Sequence, residues 1–390
     1  MSAPPQGPPG HGSPRPPEPP LIPLSEEDLA WLDRSILVGR RGWGRVHPNP
    51  MVGCVLVRGG RVLAEGWHRE FGGRHAEAEA LEHAGHDPAG ATAYVSLEPC
   101  RHQGKTPACT DALVRAEVAR VVYAVADPHP EAGGGGAALR AGGLAVDGPV
   151  WPEEAGRREN PAFFHGARTA RPFVAVKLAL SLDGMIAEAP GRRTRLTGAD
   201  ADATTHRLRA GFAGVMVGGR TARVDDPCLT VRGGGASPRV PSARIVLDPD
   251  GELDPGCSLL RERDGRVDLF VAADADEARL ERLERAGAHV HPVPRSRQGL
   301  DLGSVLDVAA ETGIHSLLCE GGGRLATSFL ADRLAGRLYL LFAPRVLGPG
   351  GVPGFPGLFP PGIWEGWRPA FQPELVGRDV LIVYGRADYH

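Results

Sequence analysis

Three residues of this 390-residue sequence have the types and order of a metal centre: His75 in His75-Ala76-Glu77, Cys100 after Pro99, and Cys109 at the end of the loop that follows. One imidazole and two thiolates fill three corners of a tetrahedral zinc site and leave the fourth to water, the catalytic rather than the structural arrangement. Glu77, two residues beyond the histidine, is poorly placed to ligate the same ion but can carry a proton to and from that water. Taken singly these residues mean little, because a lone histidine is usually a satisfied polar residue and two cysteines read as small buried thiols. The joint order carries the reading: His-x-Glu opening a helix, then a β-rich run, then Pro-Cys at its end.

A second set lies in the other half. Only two lysines occur in the chain, Lys105 and Lys177, and Lys177 stands inside the apolar run Phe173 to Ser181. A buried ammonium is costly unless paired or functional, so Lys177 reads as a polar anchor of a site; the alternative is an edge residue whose stem snorkels to water. Glu320-Gly-Gly-Gly-Arg-Leu-Ala-Thr-Ser328 reads as strand end, glycine turn and helix start, where free N–H groups and the helix dipole can cradle a pyrophosphate. Gly321, Gly323 and Ala326 meet a loose G-x-G-x-x-A spacing, but no acidic residue follows about 20 positions on as a Rossmann domain would want.

Alternating elements must position these groups. Ser25-Glu26-Glu27-Asp28 is a capping box, with Leu29, Leu32 and Ile36 on one face of the helix it opens. A hairpin follows, Val52 to Val57 and Val62 to Ala64 about Gly59-Gly60. Then come helix Ala76 to Ala84, strand Thr92 to Leu97, helix Asp111 to Ala116 and strand Arg120 to Val125, the pattern of an α/β/α sandwich. In the second half, strands at Phe173 to Ser181, Val215 to Gly218, Arg244 to Leu247, Leu269 to Ala272 and Ser316 to Cys319 alternate with helices at Ala199 to Phe212, Asp276 to Ala286 and Leu302 to Gly313. Residues 1 to 24 hold ten prolines and read as a disordered tail. The expected division is therefore tail 1–24, first domain 25–168 and second domain 169–390.

The motifs His47-Pro-Asn-Pro-Met-Val-Gly-Cys54, His75-Ala-Glu77 and Leu97-Glu-Pro-Cys-Arg-His-Gln-Gly-Lys-Thr-Pro-Ala-Cys109, with Gly219-Arg-Thr-Ala-Arg-Val-Asp-Asp-Pro-Cys-Leu-Thr-Val-Arg232, resemble the bifunctional deaminase/reductase family of riboflavin biosynthesis. The resemblance covers nearly all of the chain after about residue 25. It implies a cytidine-deaminase-like sandwich followed by a dihydrofolate-reductase-like α/β domain. The implied substrate is a phosphoribosyl diaminopyrimidinone, deaminated with Zn2+ and then reduced with NADPH so that its ribosyl becomes a ribityl chain. By residue-wise carry-over, Asn49, otherwise a common turn residue, holds the pyrimidine. Thr221 and Asp225 touch the nicotinamide nucleotide, Arg209 and Arg232 hold substrate phosphate, and Leu229 lies beside the substrate. Glu320 faces the substrate, and Gly322, Gly323, Arg324, Leu325, Ala326, Thr327 and Ser328 line the dinucleotide. Without the resemblance, Arg209 and Arg232 would read as ordinary surface charges.

Two departures stand out. The Gly-rich loop after Asp127 lacks the family's arginine and is one residue shorter, and the family's Ser and Trp before the Leu196-Thr197 step fall on Arg193 and Arg195. A weakened reductase leaves a rival reading, a deaminase with a non-catalytic substrate-binding second half. A third makes the zinc structural, with His102 as fourth ligand and Glu77 idle.

Composition excludes other classes. A net charge of -3 with scattered arginines offers no basic face for nucleic acid, no apolar run approaches a membrane span, and the start lacks the order of a signal peptide. Six cysteines in this length make no disulfide framework and suit a reducing cytoplasm. A homo-oligomer is compatible with the pattern.

Overall fold

The computed structural model describes residues 24–85, 87–102, 107–233, 238–357, 359–387 and 389. The proline-rich tail, apart from Leu24, lies outside them, as does Lys105. The capping box forms as expected: Ser25 Oγ accepts from the Asp28 N–H and the Asp28 carboxylate takes the Ser25 N–H, which starts α1 (Glu26–Gly39). The same carboxylate accepts from the Tyr94 hydroxyl at 2.7 Å and from Arg120 at 2.8 Å, tying the helix to the sheet beneath it.

That sheet has the order β2-β1-β3-β4-β5, built from β1 (Gly53–Arg58), β2 (Arg61–Trp67), β3 (Thr92–Val95), β4 (Arg120–Tyr123) and β5 (Ala145–Asp147). The first hairpin is antiparallel and the last two pairings are parallel. Because side chains alternate along a strand, Cys54 and Leu56 enter one core with α2 (Ala76–Ala84), α3 (Cys109–Arg115) and α4 (Gly135–Ala141), while Val55 and Val57 enter another with α1. The result is the α/β/α sandwich expected. Two short helices, α5 (Glu153–Glu159) and α6 (Pro161–Gly166), lead out of it, and Phe164 of α6 closes the α1 face.

The second sheet has the order β11-β10-β9-β8-β14-β6-β15-β19-β17. Its parallel part comprises β6 (Phe173–Ser181), β8 (Gly214–Gly218), β9 (Ala243–Leu247), β10 (Val267–Ala272), β11 (Ala288–Val293), β14 (Ser316–Cys319) and β15 (Arg337–Ala343). Short ladders at β7 (Met185–Ala187) with β16 (Val352–Pro353), and at β12 (Arg295–Ser296) with β13 (Gly299–Leu300), lie off it. The C-terminal β17 (Trp367–Pro369), β18 (Glu374–Val376) and β19 (Asp379–Arg386) add antiparallel pairings. Helices α7 (Ala199–Ala210), α8 (Gly219–Asp225), α9 (Ser258–Arg261), α10 (Glu277–Arg285), α11 (Leu302–Glu311) and α12 (Gly323–Ala331) complete this half.

The sequence reading leaves β15 and β19 unassigned, and they change the environment of Lys177. Flanked by β14 and β15, β6 is an interior strand with Lys177 paired opposite Tyr339. The snorkelling-edge alternative is thereby excluded.

Candidate active sites

Two helix starts and one strand end converge in the first domain. His75 is the N-cap of α2, Glu77 lies in that helix's first turn, and Cys109 is the first residue of α3. Cys100 follows β3 by a short loop, and its Sγ lies 3.5 Å from the Cys109 backbone nitrogen, so α3 presents its positive end to this sulfur. His75 Nδ1 stands 3.2 Å from Cys109 Sγ and 3.5 Å from Cys100 Sγ. Tetrahedral zinc with ordinary bond lengths wants nitrogen and sulfur ligands about 3.5 Å apart, so the donor set fits that ion. Among the described residues the cluster closes at these three, and His102 is not in it. A fully protein-ligated structural site is therefore not formed.

The local electrostatics ready one of the two sulfurs, Cys100, as a thiolate. A hydrogen bond from Cys109, aided by His75, pulls the Cys100 thiol down to about 4, while the same bond and burial push Cys109 up. Glu77 is only 3% exposed, and burial together with the Cys100 charge raises its carboxyl above the usual range. It opens on a cavity of about 250 Å³ that is also lined by Asn49, His68, Glu98, Asp127 and Phe163.

Asn49 is oriented by a chain of two hydrogen bonds. His68 Nδ1 lies 2.8 Å from the Arg74 carbonyl, which can only accept, so the proton sits on Nδ1 and Nε2 accepts from Asn49 Nδ2 at 3.1 Å. The amide oxygen of Asn49 is left to meet a donor. His68 is a residue that sequence reasoning missed, and no spacing signals it. Asp127, also missed, is pushed up to about 6 by burial. Glu98 has both oxygens engaged by backbone N–H groups, from Asp127 at 3.2 Å and Gly136 at 2.9 Å.

In the second domain Lys177, Arg209 and Glu320 come together. Arg209 grips Glu320 with Nε at 2.6 Å and Nη2 at 2.9 Å, and gives Nη1 to the Thr230 carbonyl at 3.0 Å. Both side chains are about nine-tenths buried. Burial opposes ionisation of Glu320, yet Arg209 and Lys177 hold its carboxyl below the usual range. Burial in turn lowers the Lys177 ammonium, partly offset by Glu320. His206, one helical turn before Arg209 on the same face of α7, accepts the Arg232 N–H at Nδ1 (3.1 Å) and steadies that loop. The i, i+3 spacing from Arg209 was the signal that could have found it.

Thr221 and the glycine turn also meet, since Thr221 Oγ1 accepts the Gly322 N–H at 3.1 Å where α12 begins. Thr221→Val should cost that bond, worth about 0.5 to 1.5 kcal/mol, and raise the dinucleotide Kd a few-fold in a fluorescence titration. Asp225 is half-buried, and burial raises its carboxyl while the charge of Arg193 opposes the rise.

Other expected contacts are redirected. Leu229 is 2% exposed and packs in the core with Ala222, Val215 and Val217, its backbone in the left-handed region at φ 55°, so its side chain is not presented to a ligand. Ala326 and Thr327 are buried in the body of α12, and Ser328 bonds Gln298 at 2.8 Å. The accessible part of that helix start is therefore Gly322, Arg324 and Leu325, with Gly323 buried and the Gly322 N–H taken by Thr221. Arg232 is exposed, and among the described residues it pairs with no carboxylate.

Residues 25–125 match the cytidine and deoxycytidylate deaminase zinc-binding region, and residues 172–360 match the RibD C-terminal domain. The riboflavin biosynthesis protein RibD of Actinobacillus pleuropneumoniae is 35% identical over 366 residues, which is 92% of this chain and 95% of that protein. This chain belongs to the RibD family. The Escherichia coli RibD is 34% identical over 83% of this chain and 89% of its own. A solved Thermotoga maritima structure, described as a diaminohydroxyphosphoribosylaminopyrimidine deaminase/5-amino-6-(5-phosphoribosylamino)uracil reductase, superposes with a TM-score of 0.77 at 31% identity, covering 92% of this chain and 99% of that one.

Within this RibD-family chain the two departures acquire physical roles. In the Gly-rich loop a Cβ at Gly135 would lie 1.7 Å from the Pro99 carbonyl, so glycine lets α4 press on the backbone that presents Cys100. Arg195 turns away from the cleft to pair with Asp202 at the start of α7, while its carbonyl takes Arg345. Arg193 is the one of the two whose charge acts on Asp225, a residue the resemblance assigns to the cofactor.

Proposed function

We propose that the chain deaminates 2,5-diamino-6-(5-phosphoribosylamino)pyrimidin-4-one in residues 25–168 and reduces the ribosyl of the product in residues 169–390, both steps serving riboflavin biosynthesis. The observation that carries the deaminase reading is the cluster of three donors sharing a cavity with the buried Glu77. His75, Cys100 and Cys109 would hold Zn2+, which polarises a water and lowers its pKa. Glu77, buried and held above the usual carboxylate range, accepts a proton and hands it to the departing amine. Asn49 accepts a ring or exocyclic N–H and so orients the pyrimidine. His75→Ala, Cys100→Ala and Cys109→Ala should each lose zinc and ammonia release together, read by metal analysis beside the deaminase assay.

For the second step NADPH supplies the hydride when bound. Gly322, Gly323, Arg324 and Leu325 at the start of α12, with Thr221 and Asp225, would hold it. Lys177 and Glu320 face the ribose, and Arg232 with the two remaining N–H donors of Arg209 meets the phosphate. Among the described residues no helix is long and apolar enough to cross a membrane, and all six cysteines are free, which supports a cytoplasmic enzyme. Incubating the chain with the diaminopyrimidinone phosphate, with and without NADPH, tests both halves. Ammonia should appear in either case and NADPH absorbance should fall with it. Ammonia without NADPH consumption would leave the second half as a binding module.

A further inference from the structure

The two sites meet through one segment of chain. Helix α7 carries His206 and Arg209 at the reductase cluster, and its C-terminal end is held by residues of the first domain. Trp43 Nε1–H donates to the Arg207 carbonyl at 2.7 Å, and its ring meets Phe212 edge-on with centroids 6.4 Å apart. A Cβ at Gly211 would stand 1.9 Å from the Trp43 ring, so the indole rests directly on the backbone at that helix end. The Arg239 N–H reaches the Gly44 carbonyl at 3.2 Å, and the His47 imidazole lies beside the Gly211 backbone.

From His47 only Pro48 intervenes before Asn49, whose N–H returns to the Val46 carbonyl at 2.9 Å and whose amide donates to His68 in the deaminase cavity. The opposite side of the segment is packed as well, with Val46 1% exposed and the Phe71 N–H on the Arg45 carbonyl at 3.0 Å. Residues 43–52 contain no helix or strand, so no regular element fixes Asn49. Its placement comes from tertiary contacts, and those at residues 43, 44 and 47 belong to the second domain.

We propose that residues 43–49 are a strut through which α7 sets the position of Asn49, making Trp43 a positioning residue for the deaminase site. The proposal rests on the reading that Asn49 orients the pyrimidine. A ligand-orienting side chain on a loop is only as precise as the shell that holds the loop, and here that shell is the neighbouring domain.

The test uses the full chain and four proteins: the parent, Trp43→Ala, Asn49→Ala and the double variant. Trp43→Ala should retain its zinc and raise the deaminase KM about tenfold while kcat falls less than about threefold, since misplacing an orienting group weakens productive binding first. In the Asn49→Ala background Trp43→Ala should add no further rise in KM, the non-additivity expected when one residue acts through another. Trp43→Phe, which keeps a ring but loses the N–H to Arg207, should raise KM by less and likewise only when Asn49 is present; it carries the test should Trp43→Ala not fold. A KM unchanged by the Trp43 variants while Asn49→Ala raises it, or a rise that simply adds to that of Asn49→Ala, would overturn the strut. A KM unchanged in Asn49→Ala itself sinks the underlying assignment of Asn49, and the strut with it.

Discussion

Glu77→Gln retains its zinc and releases ammonia about 10² to 10⁴-fold more slowly than the parent chain, the usual contribution of a general acid–base group. The substitution is nearly isosteric and the site is closed, with Glu77 3% exposed, so packing changes little. What changes is the ability to take up a proton. Burial and the Cys100 charge hold the Glu77 carboxyl above its ordinary range, which brings it toward the pH at which a group both accepts and returns a proton efficiently. An amide does neither. Metal analysis alongside the ammonia assay separates the two roles available to this residue, because a ligand would take the zinc with it. A Glu77→Gln protein that loses zinc, or one that keeps both zinc and full activity, would remove Glu77 from the chemistry.

Arg209→Ala should destabilise the second domain by about 3 kcal/mol, the lower end of the roughly 3 to 5 kcal/mol cost of stranding one member of a buried ion pair. Glu320 and Arg209 are each about nine-tenths buried and joined by two hydrogen bonds, so truncation leaves a carboxylate in the interior without its fork. Lys177 also faces Glu320 and softens the loss, which is why the lower figure applies. Arg209→Lys should recover only part of it, since an ammonium cannot reproduce the bidentate geometry. Because the pair holds Glu320 below the ordinary glutamate range, its contribution is present above that range and is lost as the pH falls through the depressed value. Denaturant melts of parent and variant should therefore converge toward acid pH. Arg232→Ala gives the contrast: exposed and unpaired with any carboxylate among the described residues, it should leave the melt within about 0.5 kcal/mol and act on the substrate KM alone.

These two cases also show where reading the sequence stops. The place of Glu77 was legible because it depends on spacing: two residues after a helix-capping histidine, a carboxylate is carried in the first turn of α2 beside that histidine. The alternation of the first domain and the glycine turn before α12 were legible for the same local reason, as periodicity, caps and turn residues act within a few positions, whereas the three donors were read from their joint order along the chain. Arg209 was assigned to substrate phosphate only through the family resemblance, and nothing marked it as the partner of Glu320, 111 residues away. Nothing local sets that pairing; the order of strands in the sheet does, by placing β14 beside β8 and β6 so that the end of β14 reaches α7. Leu229 was assigned to the substrate, yet its left-handed backbone turns the side chain into the core. Most elements and the chemical groups each carries could be read from the chain, because these follow from nearest-neighbour physics, although β15 and β19 escaped that reading. Only the tertiary structure decided which charges meet, which assigned residues are buried, and that Trp43 of one domain braces a helix of the other, because those depend on long-range packing that no short window of residues encodes.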